Sequence, residues 1–196
     1  FICVSDDGEN AITVAPGANN ALLPEHWARH LPSLQGITHL LMQLETPLDT
    51  VQAYAQMARA QGLQVVLNAA PARALPAALL ALVDVLIVNE GELTALTSGQ
   101  GDGQSGLQSS VQDRLEQLPV PCVIVTLGGE GCLARVRDAQ GRSTLTAQSA
   151  FKVQVVDTTA AGDTFCGVLV AALSQHATLA QALRRASAAA ALACTQ

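Results

Sequence analysis

The chain alternates between short apolar runs and longer stretches in which apolar residues recur every three or four positions. Residues 38–44 (THLLMQL), 64–68 (QVVLN), 84–88 (DVLIV) and 120–126 (VPCVIVT) have the length and composition of strands. Helical spacing follows or precedes each of them, over 46–61, 75–82, 90–96 and 111–118. Thr46 is placed to cap the first of these helices and Gly62 to stop it. Two Ala-rich stretches, 161–175 and 179–194, predict the closing helices. The strand runs are continuous rather than alternating, which fits strands covered by helices on both faces. This order predicts an α/β fold with a mainly parallel sheet.

Smaller features fit around that frame. Residues 1–4 and 11–14 are β-like runs on either side of a turn-rich connection, so a hairpin is predicted. Residues 16–20 read as a loop, and Pro24 suits the first turn of a short helix to about residue 31. Residues 132–136 and 143–146 read as a hairpin around Asp138-Ala139-Gln140-Gly141. An apolar strand is expected to end at Val155-Val156. Residues 98–110, rich in Gly, Ser and Gln, read as a mobile surface loop inserted into the alternation.

Composition narrows the function classes. The 196 residues are 49% hydrophobic, 13% charged and only 3% aromatic, which supports one aliphatic core. A net charge of −6 without basic runs argues against a nucleic-acid partner. No apolar run reaches membrane-spanning length, so no membrane association is expected. The five cysteines (Cys3, Cys122, Cys132, Cys166, Cys194) are odd in number and lack a CxxC pair. Reduced thiols and a cytoplasmic location follow as the expectation. The chain opens at Phe1 within a strand-like run, so the native N-terminus is expected to lie upstream.

In open α/β sheets ligands gather at the carboxyl ends of strands. Polar residues stand at four such ends: Glu45, Asn68, Asn89-Glu90 and Thr126. The richest segment is VVDTTAAGDTF, residues 155–165, where small residues lead into a helix. Small residues let a ligand approach the backbone, and the free N–H groups at a helix start suit an anion such as phosphate. Asp163 lies in the first helical turn. The residues alone leave two readings of it, a catalytic group beside an anion site or a cap favouring the helix dipole.

DTTAAGDTFCG resembles the signature DTxxAGDxFxG of the ribokinase-like (PfkB) carbohydrate kinases. GANNAL, LLMQLETP, NAAPA, VNEGE and VTLGGEGC match the same family in order, from Phe1 to Gln196. The resemblance implies a single, incomplete kinase domain over 1–196, with 1–15 in a small β lid and 16–196 in the α/β core. It implies an ATP-dependent sugar kinase acting on the O5 hydroxyl of D-ribose, with Mg2+ and an activating K+. Asp163 would be the catalytic base and would touch the sugar, as would Glu45. Ala160, Ala161 and Gly162 would form the anion hole. Asn89, Glu92, Thr126, Leu127, Gly128, Gly129, Glu130, Gly131 and Gly162 would serve the nucleotide. Asp157, the carbonyl of Thr159 and Ala193 would hold the monovalent cation. The lid would build a homodimer. Alternatives are a kinase of another pentose, hexose or nucleoside, and a non-catalytic sugar- or nucleotide-binding homologue.

Other signals carry less. There is no GxxxxGK[ST], GxSxG or HExxH pattern. His26 and His30 share a helix face and read as solvated surface, Arg184-Arg185 as an exposed face, and Met42 and Met57 as core.

Overall fold

The computed structural model describes residues 2–4, 10–12, 15–29, 35–98 and 110–196. The turn of the first hairpin, His30, the far end of the helix expected to reach residue 31, and nearly all of the inserted loop lie outside them. Strands β1 (Ile2–Val4) and β2 (Asn10–Ile12) pair antiparallel, as a sheet of their own. The main sheet begins at β3 (His39–Met42), and α1 (Leu48–Ala60) leads to β4 (Gln64–Asn68). Next come α2 (Ala77–Leu80), β5 (Val85–Asn89), α3 (Glu90–Thr97), α4 (Val111–Gln117) and β6 (Cys122–Thr126). An antiparallel hairpin, β7 (Gly131–Arg137) and β8 (Ser143–Ser149), extends the sheet. Helices α5 (Ala161–Ser174) and α6 (Leu179–Ala193) close the chain. Spatial order follows chain order from β3 to β8, and β3 to β6 are parallel. The expected α/β architecture is therefore present.

Two apolar layers explain the continuous runs. Val65, Leu67, Leu86, Val88, Val123 and Val125 pack towards α1 to α4. Their neighbours Val66, Ile87, Cys122 and Ile124 pack towards α5 and α6. Each such buried aliphatic side chain contributes about 1.5–3 kcal/mol, so burial on both faces anchors the central strands and fixes where they end. Met42 and Met57 pack against the first layer, as expected. Trp27 is buried there too, edge-on to Tyr54 with ring centroids 5.1 Å apart.

Several local expectations change. Pro47, not Thr46, occupies the N-cap of α1, and no side chain caps it. Proline holds the chain extended there (ψ 133°) and places the first helical residue at Leu48. The helix still stops at Gly62, which adopts φ +77°. Pro76 likewise shortens α2, because the residue before a proline is driven out of the helical region. Residues Gly17–Ala21 form a 3-10 turn rather than a loop, and Pro24–Arg29 is 3-10 rather than α-helical. Within it the His26 ring accepts the Leu23 N–H at 3.2 Å. No strand forms at 155–156: Val155 and Val156 are 59% and 69% exposed, and the Val156 N–H donates to Cys194 O at 2.8 Å. Those valines have strand-like chemistry but no neighbouring strand among the described residues.

The C-terminal end of α5 carries a strained residue. His176 adopts φ +61°, directly after the C-cap Gln175, and its N–H donates to Leu173 O. A side chain in that left-handed region costs roughly 1–2 kcal/mol, of which glycine's greater unfolded-state freedom takes back about half. His176→Gly should stabilise the fold by about 0.5–1 kcal/mol, read as a Tm rise of about 2 °C. A fall in Tm would show that the imidazole contributes more than its backbone strain costs.

Candidate active site

The ends of the parallel strands form one edge. Asn68 sits beside Ile87, and Asn89 beside Thr126. Asn68 is turned into the sheet, where Nδ2 donates to Ile87 O at 3.2 Å, so its role is to bind strand to strand. Gln43 follows β3 directly, and Glu45 stands exposed two residues on.

Helix α5 starts against this edge. Its N-cap Ala160 has φ +60° and ψ 8°, a left-handed backbone on a residue with a Cβ. No side chain caps this helix. The Ala161 N–H is used within the turn, donating to Thr158 O at 3.2 Å. Gly162 and Asp163 supply the next two amides of the bare first turn. The Asp163 carboxylate is exposed, and its Oδ1 accepts the Gln43 Nε2–H at 2.8 Å. Asp163 therefore makes no cap bond, although its place in the first turn still suits the helix dipole.

Asn89 and Glu92 are brought together, in a capping box at the start of α3. Asn89 Oδ1 accepts the Glu92 N–H, and Glu92 Oε2 accepts the Asn89 N–H, both at 2.8 Å. Glu92 is only 6% exposed; burial pushes its carboxyl above the usual range, and the Asn89 backbone bond opposes that. One carboxylate and one amide cannot cage a divalent cation. They fit Mg2+, which keeps most of its waters and leans on substrate phosphates.

A cleft of about 610 Å³ opens between the β6–β7 turn, the start of α5 and the C-terminal half of α6. Thr126, Gly128, Gly129, Gly131 and Gly162 line it, as does Ala161. Leu127 instead packs against the core, while Glu130 is exposed beside the cleft. Gly131 has φ +106°, and a Cβ there would collide with the Gln148 carbonyl of β8, so the turn admits glycine alone. Volume and small residues suit a nucleotide.

The loop at Asp157 is tied to the end of α6. The Val156 and Asp157 N–H groups both donate to Cys194 O, at 2.8 and 3.3 Å. Asp157 Oδ1 accepts the Thr159 N–H at 2.8 Å, and the backbone bond from Thr159, then its side chain, holds the carboxyl below its usual range. Ala193 lies in the last turn of α6, and its carbonyl takes the Gln196 N–H at 3.4 Å. A carboxylate on a loop tied to the negative end of α6 has the chemistry to suit a hard monovalent cation.

Three residues of consequence were not among the expected ones. Gln43 contacts Asp163 directly. Lys152, the chain's only lysine, is the one charged side chain among the described residues that line the cleft. Arg135, on β7, is wholly buried under α4. The chain's only lysine, just ahead of the segment 155–165, was a readable signal; the other two depend on contacts far apart in sequence.

Known proteins are similar to this chain in sequence and fold. The profile described as "pfkB family carbohydrate kinase" matches residues 1–196. Ribokinase of Haemophilus influenzae is 38% identical over 197 residues, covering 100% of this chain and 62% of that protein. A crystal structure of ribokinase from Thermotoga maritima superposes with a TM-score of 0.82 at 33% identity, covering 100% of this chain and 62% of the other. The structure of Arabidopsis thaliana ribokinase complexed with ribose and ATP gives a TM-score of 0.82 at 30% identity, again covering 100% and 62%. The chain thus spans less than two thirds of the length of these relatives.

Proposed function

Because this chain belongs to the pfkB family of carbohydrate kinases, we propose that it serves an ATP-dependent ribokinase reaction, phosphorylating O5 of D-ribose. The observation that carries this reading is Asp163, uncapped at the start of α5, with the 610 Å³ cleft on one side and the Gln43–Glu45 strand end on the other.

The steps follow from those positions. ATP occupies the cleft, with its base between the glycine turn and α6 and its phosphates towards α5. Glu45 hydrogen-bonds the sugar. The sugar oxygen attacks the γ-phosphorus; a new O–P bond forms, the bond to the β-phosphate oxygen breaks, and ADP leaves. Asp163 takes the hydroxyl proton. The Gly162 and Asp163 amides, with Ala160 and Ala161 shaping the loop, stabilise the charge on the transferring oxygens without reorganising. Asn89 and Glu92 would hold Mg2+ through water, and Asp157, Thr159 O and Ala193 O would hold K+. Bound there, the two ions would neutralise phosphate charge and stiffen the anion loop. The β1–β2 pair would act as a sugar lid and homodimer contact. We assign the protein to the cytoplasm, in keeping with Cys122, Cys132, Cys166 and Cys194 as free thiols. Among the described residues no helix is long and apolar enough to cross a membrane.

The test is a coupled ADP-release assay on the complete natural polypeptide. Acceptors are D-ribose, 2-deoxy-D-ribose, D-fructose and adenosine, each with K+ or Na+. Ribose-dependent turnover stimulated by K+ is expected. Preference for another acceptor overturns the substrate; ATP binding without turnover of any acceptor overturns the enzyme reading.

A further inference from the structure

We propose that Gln43 is the positioning residue for Asp163: it holds Oδ1 of a carboxylate that has no local cap to close and leaves Oδ2 to face the sugar hydroxyl. This rests on the reading of Asp163 as base and deepens it.

Other helix starts in the chain supply the comparison. Helices α3, α4 and α6 each begin with a capping box, in which the third helical residue reaches back to the N-cap amide. Those bonds are Asn89 N–H to Glu92 Oε2 at 2.8 Å, Ser110 N–H to Asp113 Oδ2 at 3.1 Å, and Thr178 N–H to Gln181 Oε1 at 3.0 Å. Asp163 occupies the same third position in α5, with a side chain of the type that closes such a box. It does not close one. The three boxes have extended N-caps, with ψ of 178°, 161° and 156°, whereas Ala160 is left-handed with ψ 8°. The backbone that opens the anion loop also removes the local partner for Asp163.

A carboxylate released in this way would swing through several rotamers. Gln43 restrains it from the other layer of the fold, through a contact spanning 120 residues of sequence. Gln43 is half-buried at the end of β3, itself held by the parallel ladder to β4. Its amide is a neutral donor. A lysine or arginine would bind the carboxylate about twice as strongly and oppose its protonation. An amide fixes Oδ1 while leaving Oδ2 able to accept the alcohol proton as the O–P bond forms.

The experiment is a double-mutant cycle in the complete natural polypeptide, with Gln43→Leu, Asp163→Asn and both together. Loss of orientation at a general base should lower kcat about 10- to 100-fold in Gln43→Leu, with KM for ATP and for D-ribose each within about twofold. ATP should still raise Tm as in the unsubstituted protein. Adding Gln43→Leu to Asp163→Asn should cost nothing further, since no base remains to be aimed. Gln43→Met, which keeps side-chain length, gives the same pattern and replaces Gln43→Leu if that variant folds poorly. Unchanged kcat, a loss confined to KM for ribose, or an equal loss when Asp163→Asn is already present each overturns the role of Gln43 while leaving Asp163 as base. Full activity of Asp163→Asn overturns the base itself and this proposal with it.

Discussion

Asp163→Asn is expected to lower kcat for sugar phosphorylation by ~10²–10⁴, the range for removing a positioned general base. The substitution is isosteric and keeps an oxygen to accept from Gln43 Nε2, so the contact across the two layers is preserved. The start of α5 also keeps its amides, because they belong to the backbone. What disappears is a group able to take the hydroxyl proton. Loss should therefore fall on kcat, with ATP binding, read as ligand-induced Tm shift, within about twofold of normal. A carboxylate is a weak base for an alcohol. The requirement is modest all the same, because phosphoryl transfer runs through a loose transition state in which most catalysis is positioning and charge stabilisation. That is why the residual rate should be measurable rather than zero: the backbone amides of Gly162 and of the substituted position still meet the phosphoryl group. Turnover within a few-fold of normal would show that the proton leaves by another path.

The parts of this protein that were readable in advance share one physical property: they are dictated by neighbours close in sequence. Strands β4, β5 and β6 are buried on both faces, which turns QVVLN, VLIVN and CVIVT into unbroken apolar runs. The small residues before Asp163 announce a backbone that something approaches closely, and the left-handed Ala160 is where that conformation is realised. Elsewhere a local pattern had two outcomes. Val155-Val156 has strand chemistry, but a strand needs a partner, and these residues hang on a carbonyl at the end of α6 instead. Asn89 and Glu92 stand three apart, the spacing of a capping box as well as of a phosphate and metal site; the geometry contains the first, and the second is compatible with it. Gln43 was passed over at the end of β3 in favour of Glu45. Its partner lies in another layer of the molecule, and no periodicity in the chain records that distance.

Arg135→Met should destabilise the protein by about 2–5 kcal/mol, the cost of leaving buried carbonyls without their donor. Arginine in a strand is ordinarily taken as an exposed edge residue. Here relative exposure is 0%, and the guanidinium lies under α4. Nη2 donates to Leu115 O and Leu118 O at 2.7 and 2.8 Å, and Nη1 to Val120 O and Pro121 O at 2.7 and 3.3 Å. Its partners are carbonyls at the end of α4, where the negative end of the helix dipole lies, and in the connection into β6. Burial pulls the guanidinium below its usual pKa, and Arg137 adds repulsion, yet arginine stays charged throughout the accessible range. Methionine fills much of the volume and donates nothing, so Leu118 O and Val120 O lose their donor at about 1–3 kcal/mol each, while Leu115 O keeps the Leu118 N–H and Pro121 O the Arg137 N–H. Arg135→Lys should fall between the two, because one ammonium lacks the planar fork that reaches both pairs of carbonyls. Arg137→Ala is the control: its bond to Glu116 at 2.9 Å is partly exposed and should be worth under about 1 kcal/mol. Urea midpoints at constant m-value give all three figures. The segment that Arg135 holds feeds β6, whose last residue, Thr126, lines the cleft. Arg135→Met should therefore weaken ATP binding as well as stability, although no atom of Arg135 lies among the residues lining that cleft. A loss of less than about 1 kcal/mol would mean that these carbonyls find other donors, and that the hairpin is held by its apolar contacts alone.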